Sequence, residues 1–272
     1  MAGPLIALLT DFGTRDHYTG TMKAVVLSIC PEATLVDISH EIEPHDIFDG
    51  AIQLASTYQY FPASTVFLVV IDPGVGSGRS GLAAAVGEYR FVAPDNGVLS
   101  AVFANKEPTE VVAITERRYA RPTVSRTFEG RDKFAPAAAW LAKGVKLNAL
   151  GRRTTNFLKL DLPTADVNSD EIKGQVLRVD RYGNAITNIT RKDFEHLSEK
   201  GDIQLNIGSH RVERVVATYA EIGPKEVCGL FGSTDHLELA ANSSSAAESL
   251  QLKRGSQIAI LRIKNEERSR NH

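Results

Sequence analysis

Five apolar runs in the first half of the chain restrict its fold more than any other feature: LIALL at 5–9, TLVDI at 34–38, VFLVVI at 66–71, LAAAV at 82–86 and EVVAI at 110–114. A strand with one wet face alternates polar and apolar residues, whereas near-continuous runs of this kind suit strands covered on both faces. Between the first three lie TGTMKAVVLSIC (19–30) and DIFDGAIQLASTYQYF (46–61), which have helical spacing and are closed by Pro31 and Pro62. The alternation predicts an α/β fold, a mostly parallel sheet with helices on both faces. A further helix is predicted over FAPAAAWLAKG (134–144).

The pattern then changes. The segment 160–174, LDLPTADVNSDEIKG, is polar, contains Pro163 and has no sustained period, so 161–174 reads as a linker. Beyond it the short alternating runs QVLRVD, AITNI, IQLNI, RVERVV, VCGLFG, HLELA and QIAILRI predict a smaller antiparallel β-barrel domain. The division expected is therefore an N-terminal α/β domain at 1–160 and a C-terminal barrel at 175–272, with a frayed tail at EERSRNH.

Composition removes several function classes. The 272 residues carry 31 Lys plus Arg against 33 Asp plus Glu, so no basic field calls for nucleic acid or an anionic membrane, and a small molecule is the expected partner. Cys30 and Cys228 are far apart in sequence, which points away from a disulfide framework and toward reduced thiols in a cytoplasmic protein. No Cys/His cluster suggests a metal site. The opening MAGPLIALLTDFG lacks preceding basic residues and has an acid directly after its short apolar run; it reads as a first strand rather than a signal or anchor.

In parallel sheets, ligands gather outside the carboxyl ends of the strands. Three acid-bearing loops fall there: LLTDFGTRD (8–16), VDISHEIEPHD (36–46) and IDPGVGSGR (71–79). The last lacks both the Lys-Ser/Thr ending of a P-loop and the GxGxxG spacing. Its glycines 74, 76 and 78 allow a bend that turns Arg79 onto Asp72, and a purely structural ion pair has the same sequence. Turn chemistry accounts for PDNG at 94–97, leaving ligand contact by Asp95 or Asn96 open. In VDRYGNAITNI (179–189), Asp180, Tyr182 and Asn184 offer a carboxylate, a stacking ring and an amide, suited to a base or an amino acid, although a plain hairpin turn fits as well. TFEGRDKFAP (127–136) places Glu129 and Asp132 around Arg131, with Asp132 read as a helix cap.

Taken in order, TDFG at 10–13, DISHEI at 37–42, IDPGVG at 71–76, APDNG at 93–97, TFEGRD at 127–132, YGN at 182–184 and the LELA segment at 237–240 resemble the S-adenosylmethionine hydroxide adenosyltransferase family, relatives of the fluorinating and chlorinating enzymes. The resemblance implies hydrolysis of S-adenosyl-L-methionine to adenosine and L-methionine with no metal or redox cofactor. It also implies a homotrimer whose sites lie between one subunit's N-terminal domain and its neighbour's C-terminal domain. By motif position it assigns the ribose diol to Asp11 and the methionine end to Asp16, Asp180 and Ser233. Adenine falls to Asn184 and the backbone at Asn242 and Ser243, aromatic walls to Phe128 and Tyr182, and a place near the nucleoside to Glu238.

The resemblance further implies an activating group of Asp72, Arg79 and the residue after TF, a histidine in the family's hydrolases and Glu129 here. Glu129 either stays in the proton network, or only pairs with an arginine, or marks a protein that binds the nucleoside without turnover. Where the fluorinating enzyme has serine and tyrosine, this chain has Gly130 and Asp72. A carboxylate repels a halide but accepts hydrogen bonds from water, which favours hydrolysis over halogenation. His45, replacing an apolar residue of relatives, is read as a surface residue without a catalytic role.

Overall fold

The structure, a computed structural model, describes residues 3–199, 201–208 and 210–263, so the expected frayed tail lies outside the described residues. The chain divides between Leu162 and Pro163 into two compact units.

The first unit contains β1 (Leu5–Thr10), α1 (Tyr18–Ile29), β2 (Thr34–Ser39), α2 (Ile47–Thr57), β3 (Val66–Val70), β4 (Gly81–Val86), β5 (Tyr89–Pro94), α3 (Ser100–Asn105), β6 (Glu110–Ile114), α4 (Ala135–Ala142) and β7 (Gly151–Arg153). Its seven strands form one sheet in the order β2-β1-β3-β5-β4-β6-β7. The pairs β1–β2, β1–β3 and β3–β5 are parallel. From the β4–β5 hairpin onward the pairs are antiparallel. LAAAV and EVVAI therefore belong to the antiparallel part: burial on both faces, which produces the unbroken run, is independent of strand direction.

The apolar runs split by the two-residue period of the pleat. Ile6, Leu8, Val66, Leu68 and Val70 pack with Met22, Val26, Ala135 and Ala138 from α1 and α4. Ala7, Leu9, Phe67, Val69 and Ile71 pack on the opposite face with Leu54 and Val102 from α2 and α3. Fully burying each large aliphatic or aromatic side chain is worth roughly 1.5–3 kcal/mol, so the two faces together anchor the strand ends that carry the acidic loops.

The second unit contains β8 (Asp166–Val167), β9 (Glu171–Val179), β10 (Ala185–Thr190), α5 (Arg191–Ser198), β11 (Ile203–Ile207), β12 (His210–Val212), β13 (Val227–Phe231), β14 (His236–Ala241), α6 (Ala246–Ser249) and β15 (Gln257–Arg262). Its sheet runs β12-β11-β15-β9-β10-β14-β13, with β8 added on β9. All its strand pairs are antiparallel. A bridge from Val215 to Gly229 links the chain just past β12 to β13, nearly closing the sheet into a barrel. The segment read as a linker at 161–174 holds the two-residue β8, which pairs with the start of β9; strands this short, with exposed residues and polar residues between them, leave no sustained period in the sequence.

Candidate active site

Asp72 stands just beyond β3 and Arg79 seven residues later, at the far end of two successive tight turns closed by Val75 N–H to Asp72 O and Ser77 N–H to Gly74 O. Gly76 has φ 78°, and a Cβ there would overlap the Arg126 carbonyl oxygen, so this turn admits only glycine without strain. The bend returns Arg79 onto Asp72: Nε donates to Oδ1 at 2.7 Å and Nη2 donates to Oδ2, a two-pronged pairing. Asn96 of the PDNG turn donates to the Ile71 carbonyl at 2.7 Å, fixing the backbone beside Asp72, while Asp95 accepts from Leu158 N–H. Both are structural turn residues.

Glu129 completes the group. It precedes a π-helical turn, Gly130–Phe134, that leads into α4; such turns recur at functional sites. Its Oε2 lies 2.7 Å from Arg79 Nη2, yet no N–H is directed along that line, so this buried oxygen is an ion-pair partner with unspent hydrogen-bonding capacity. The Asp72, Arg79 and Glu129 side chains are 4, 8 and 17% exposed. Burial pushes the Asp72 carboxyl above its ordinary value; Arg79 opposes the rise through hydrogen bonding and charge, and Glu129 and Asp11 add to it. The guanidinium also sits 5.2 Å from the centre of the Phe134 ring, which Lys133 approaches at 6.0 Å. Burial holds the Lys133 amine below its ordinary range, with Glu129 and Asp72 opposing and Arg79 reinforcing. Glu129 and Lys133 also line a cavity of about 670 Å³ together with Arg117, Arg118 and Arg121.

Asp132 is not a helix cap. The π turn places its carboxylate against the preceding loop, where it accepts from Ser125 N–H and from Arg131 Nε and Nη2, with Arg121 at 3.3 Å. It is fully buried and ties down the strand-to-helix loop that delivers Glu129.

The rest of this strand-end cluster is aromatic and acidic. Phe128 meets Phe12 and Tyr18 edge-on at 6.0 and 5.3 Å. Asp11 accepts the His45 backbone N–H at 2.9 Å through Oδ2. His45 itself is exposed and contributes backbone rather than imidazole. Asp16 is exposed on the loop before α1. Gly130 is buried, its missing Cβ facing Val70, Met22 and Phe12.

In the second unit, the β9–β10 turn is built on Asp180. Its Oδ1 accepts from Tyr182 and Asn184 N–H, and its Oδ2 accepts the Asn184 amide at 2.9 Å. The turn thus does what a plain hairpin needs while holding Asn184 at 6% exposure and leaving Tyr182 79% exposed. Gly183 packs so closely on Ser245 that a Cβ would overlap its hydroxyl, which seats the turn beside the Asn242–Ser245 segment. Asn242 donates its amide to Ile222 O and accepts from the Ser243 hydroxyl, with Ser243 at φ 56°. Glu238 lies over Gly232, next to the exposed Ser233. Burial raises the Glu238 carboxyl, Asp180 adds to the rise and Arg178 opposes it.

The sequence matches the SAM hydroxide adenosyltransferase N-terminal domain over residues 6–151 and the corresponding C-terminal domain over 174–259. The chain belongs to the SAM hydroxide adenosyltransferase family. It is 35% identical to the (R)-S-adenosyl-L-methionine hydrolase of Thermus thermophilus, over 94% of this chain and 99% of the relative. It is 27% identical to the fluorinase of an Actinoplanes species, over 94% of this chain and 97% of that enzyme. A solved conserved protein from Thermotoga maritima superposes with a TM-score of 0.89 at 35% identity, covering 94% of this chain and all of the other.

In this SAM hydroxide adenosyltransferase, three residues that lie against the candidate site groups carry no signal in the sequence that singles them out. Lys133 sits in the stretch that supplies Glu129, but nothing in a lysine's spacing announces burial. Tyr219 comes from an irregular segment and reaches Asn184 with its hydroxyl at 3.4 Å; burial, Glu238 and Asp180 raise its phenol. His40 lies within DISHEI, and nothing in that motif's sequence shows that its ring is buried.

Proposed function

We propose that this chain hydrolyses S-adenosyl-L-methionine to adenosine and L-methionine, with Asp72, Arg79 and Glu129 activating the water. The observation that carries the reading is a buried carboxylate–guanidinium–carboxylate group at the end of β3, in a chain matched along nearly its whole length to enzymes named for this hydrolysis. The oxygen of water forms a bond to ribose C5′ as the C5′–sulfur bond breaks, its electron pair going to sulfur to leave a neutral thioether. No acid is needed for the leaving group, so the difficulty lies in the nucleophile. Asp72, its affinity for a proton raised by burial, accepts the proton; the free capacity of Glu129 Oε2 orients the water; Arg79 steadies the developing anion. Hydroxide and sulfonium neutralise each other on the way to the transition state, so exclusion of water assists the attack.

Asp11 and Asp16 hold the ribose and methionine ends, with Phe128 as a wall. Asp180, Tyr182, Asn184, Ser233, Glu238, Asn242 and Ser243 receive the nucleoside and methionine. The reading includes a homotrimer in which the N-terminal unit of one copy works with the C-terminal unit of the next, a cytoplasmic setting, and no metal or redox cofactor. Because the hydrolase relatives are named for the (R) sulfonium epimer, that epimer is the proposed substrate. The test is chromatography of an epimeric S-adenosyl-L-methionine mixture in halide-free buffer, alongside light scattering. Equal adenosine and methionine drawn from the (R) fraction support the reading; binding without products, or nucleoside formation only with added halide, overturns it.

A further inference from the structure

A line of polar groups, buried at Thr10 and His40 and reaching the surface at Asp37 and Lys23, runs beside Asp11 and takes no part in the chemistry above. Thr10, at the end of β1, is fully buried, and His40, just after β2, is 4% exposed. Thr10 Oγ1 and His40 Nδ1 are 2.8 Å apart. His40 Nε2 lies 3.0 Å from Asp37 Oδ1 as an ion-pair contact, off the axis of a hydrogen bond. Asp37 Oδ2 receives the Lys23 amine at 2.6 Å. The hydroxyl–imidazole–carboxylate order resembles a nucleophilic relay, but the hydroxyl has no exposure and already accepts the Phe12 N–H at 3.3 Å. No substrate atom can reach it.

What these groups share is the pair of loops around Asp11. The Gly13 N–H donates to the His40 carbonyl at 2.7 Å, and the His45 N–H donates to Asp11 Oδ2. Thr10 precedes Asp11 directly, and Phe12 and Gly13 follow it, so His40 holds the Asp11 loop on both sides. The Asp37 carboxylate, 3.0 Å from Nε2, favours the proton on that nitrogen by its charge even off the hydrogen-bond axis, so Nδ1 is the acceptor and the Thr10 hydroxyl the donor, which leaves that oxygen's lone pairs for Phe12 N–H. A buried imidazole is costly unless its partners are in place; here those partners are the Asp11 loop and the β2 strand end.

We infer that His40 is a positioning residue: through Thr10 and its own carbonyl it sets the carboxylate of Asp11, leaving Oδ1 aimed at the ligand. This rests on the reading of Asp11 as the ribose-holding group. It assigns the buried Thr10–His40 pair to substrate affinity rather than to the bond-making step.

The test compares kcat and KM for S-adenosyl-L-methionine hydrolysis, with thermal unfolding alongside, in Thr10→Val, His40→Leu and His40→Asn, using Asp11→Ala as the benchmark. Thr10→Val keeps the side-chain volume and loses only the hydroxyl, so it carries the test even where His40→Leu does not fold. Thr10→Val and His40→Leu are expected to raise KM about tenfold, the scale of a lost hydrogen bond supporting a charged group. Turnover should stay within about threefold of the parent. His40→Asn, whose Oδ1 takes the place of Nδ1 as acceptor, should restore KM. A raised KM in Asp11→Ala with a native KM in Thr10→Val and His40→Leu overturns the positioning role alone. A native KM in Asp11→Ala overturns the ribose reading and the inference with it.

Discussion

Replacing Arg79 by methionine removes the only cation that an ion pair joins to both Asp72 and Glu129 among the described residues, and its cost can be worked from the contacts. Two charge-assisted hydrogen bonds to Asp72 disappear, each worth about 1.5–3 kcal/mol, and two largely buried carboxylates are left facing each other. Methionine recovers some packing against Phe134, on which the guanidinium rests. Breaking a buried pair from one side costs about 3–5 kcal/mol, and that is the destabilisation expected near neutral pH.

The pH dependence makes the reasoning refutable. In the native protein Arg79 opposes the rise of the Asp72 pKa above 3.8; without it, burial, Glu129 and Asp11 act with no counterweight and the folded-state pKa climbs further. A carboxyl whose folded pKa lies above its unfolded one binds its proton more tightly when folded, so the folded variant gains stability as pH falls through that folded pKa. The penalty is therefore full above the folded pKa and shrinks toward the unfolded value. Urea unfolding followed by the fluorescence of Trp140, the single tryptophan and part of α4, reads this at about pH 7.5 and at about pH 4.5, close to the unfolded value. A loss below about 1 kcal/mol, or the same loss at both pH values, would refute the account. In Arg79→Met/Asp72→Asn the two losses should fall well short of additive, because the second change removes the charge that the first left unpaired.

Glu129→Gln keeps the shape but not the charge. It should slow turnover about tenfold or more and move the acid limb of the kcat/KM profile to lower pH, since Glu129 raises the Asp72 pKa; an unchanged rate and profile would confine Glu129 to ion pairing. Gly76→Ala forces a left-handed residue against the Arg126 carbonyl, so thermal unfolding should show at least about 1–2 kcal/mol of lost stability, together with loss of activity as Arg79 shifts. Tyr182→Ala alters a ring that is 79% exposed, so its unfolding midpoint should match the parent while KM rises about tenfold, the lower end of the cost of losing a stacked base; an unchanged KM would remove Tyr182 from the binding surface.

Strand positions, helix positions, the α/β class and the second antiparallel unit were legible from periodicity, because a buried pleat or helix face imposes its own spacing on apolar residues. The DPGVGSGR bend was legible as a possibility: glycines at alternate positions allow the tight turns that bring Arg79 back to Asp72. Strand direction was not. β4 and β6 have the same unbroken apolar runs as β1 and β3 because cover on both faces, rather than direction, removes polar residues. Nor could sequence tell a cap from a clamp at Asp132, since the deciding π turn changes where the carboxylate points and leaves no mark in composition. Lys133, Tyr219 and His40 acquire their properties from residues tens of positions away, or from burial itself. Sequence by itself determined which chemical groups stand at the strand ends. Tertiary structure alone decided their charge states and free lone pairs, because desolvation and the direction of each N–H exist only once the chain has closed around them.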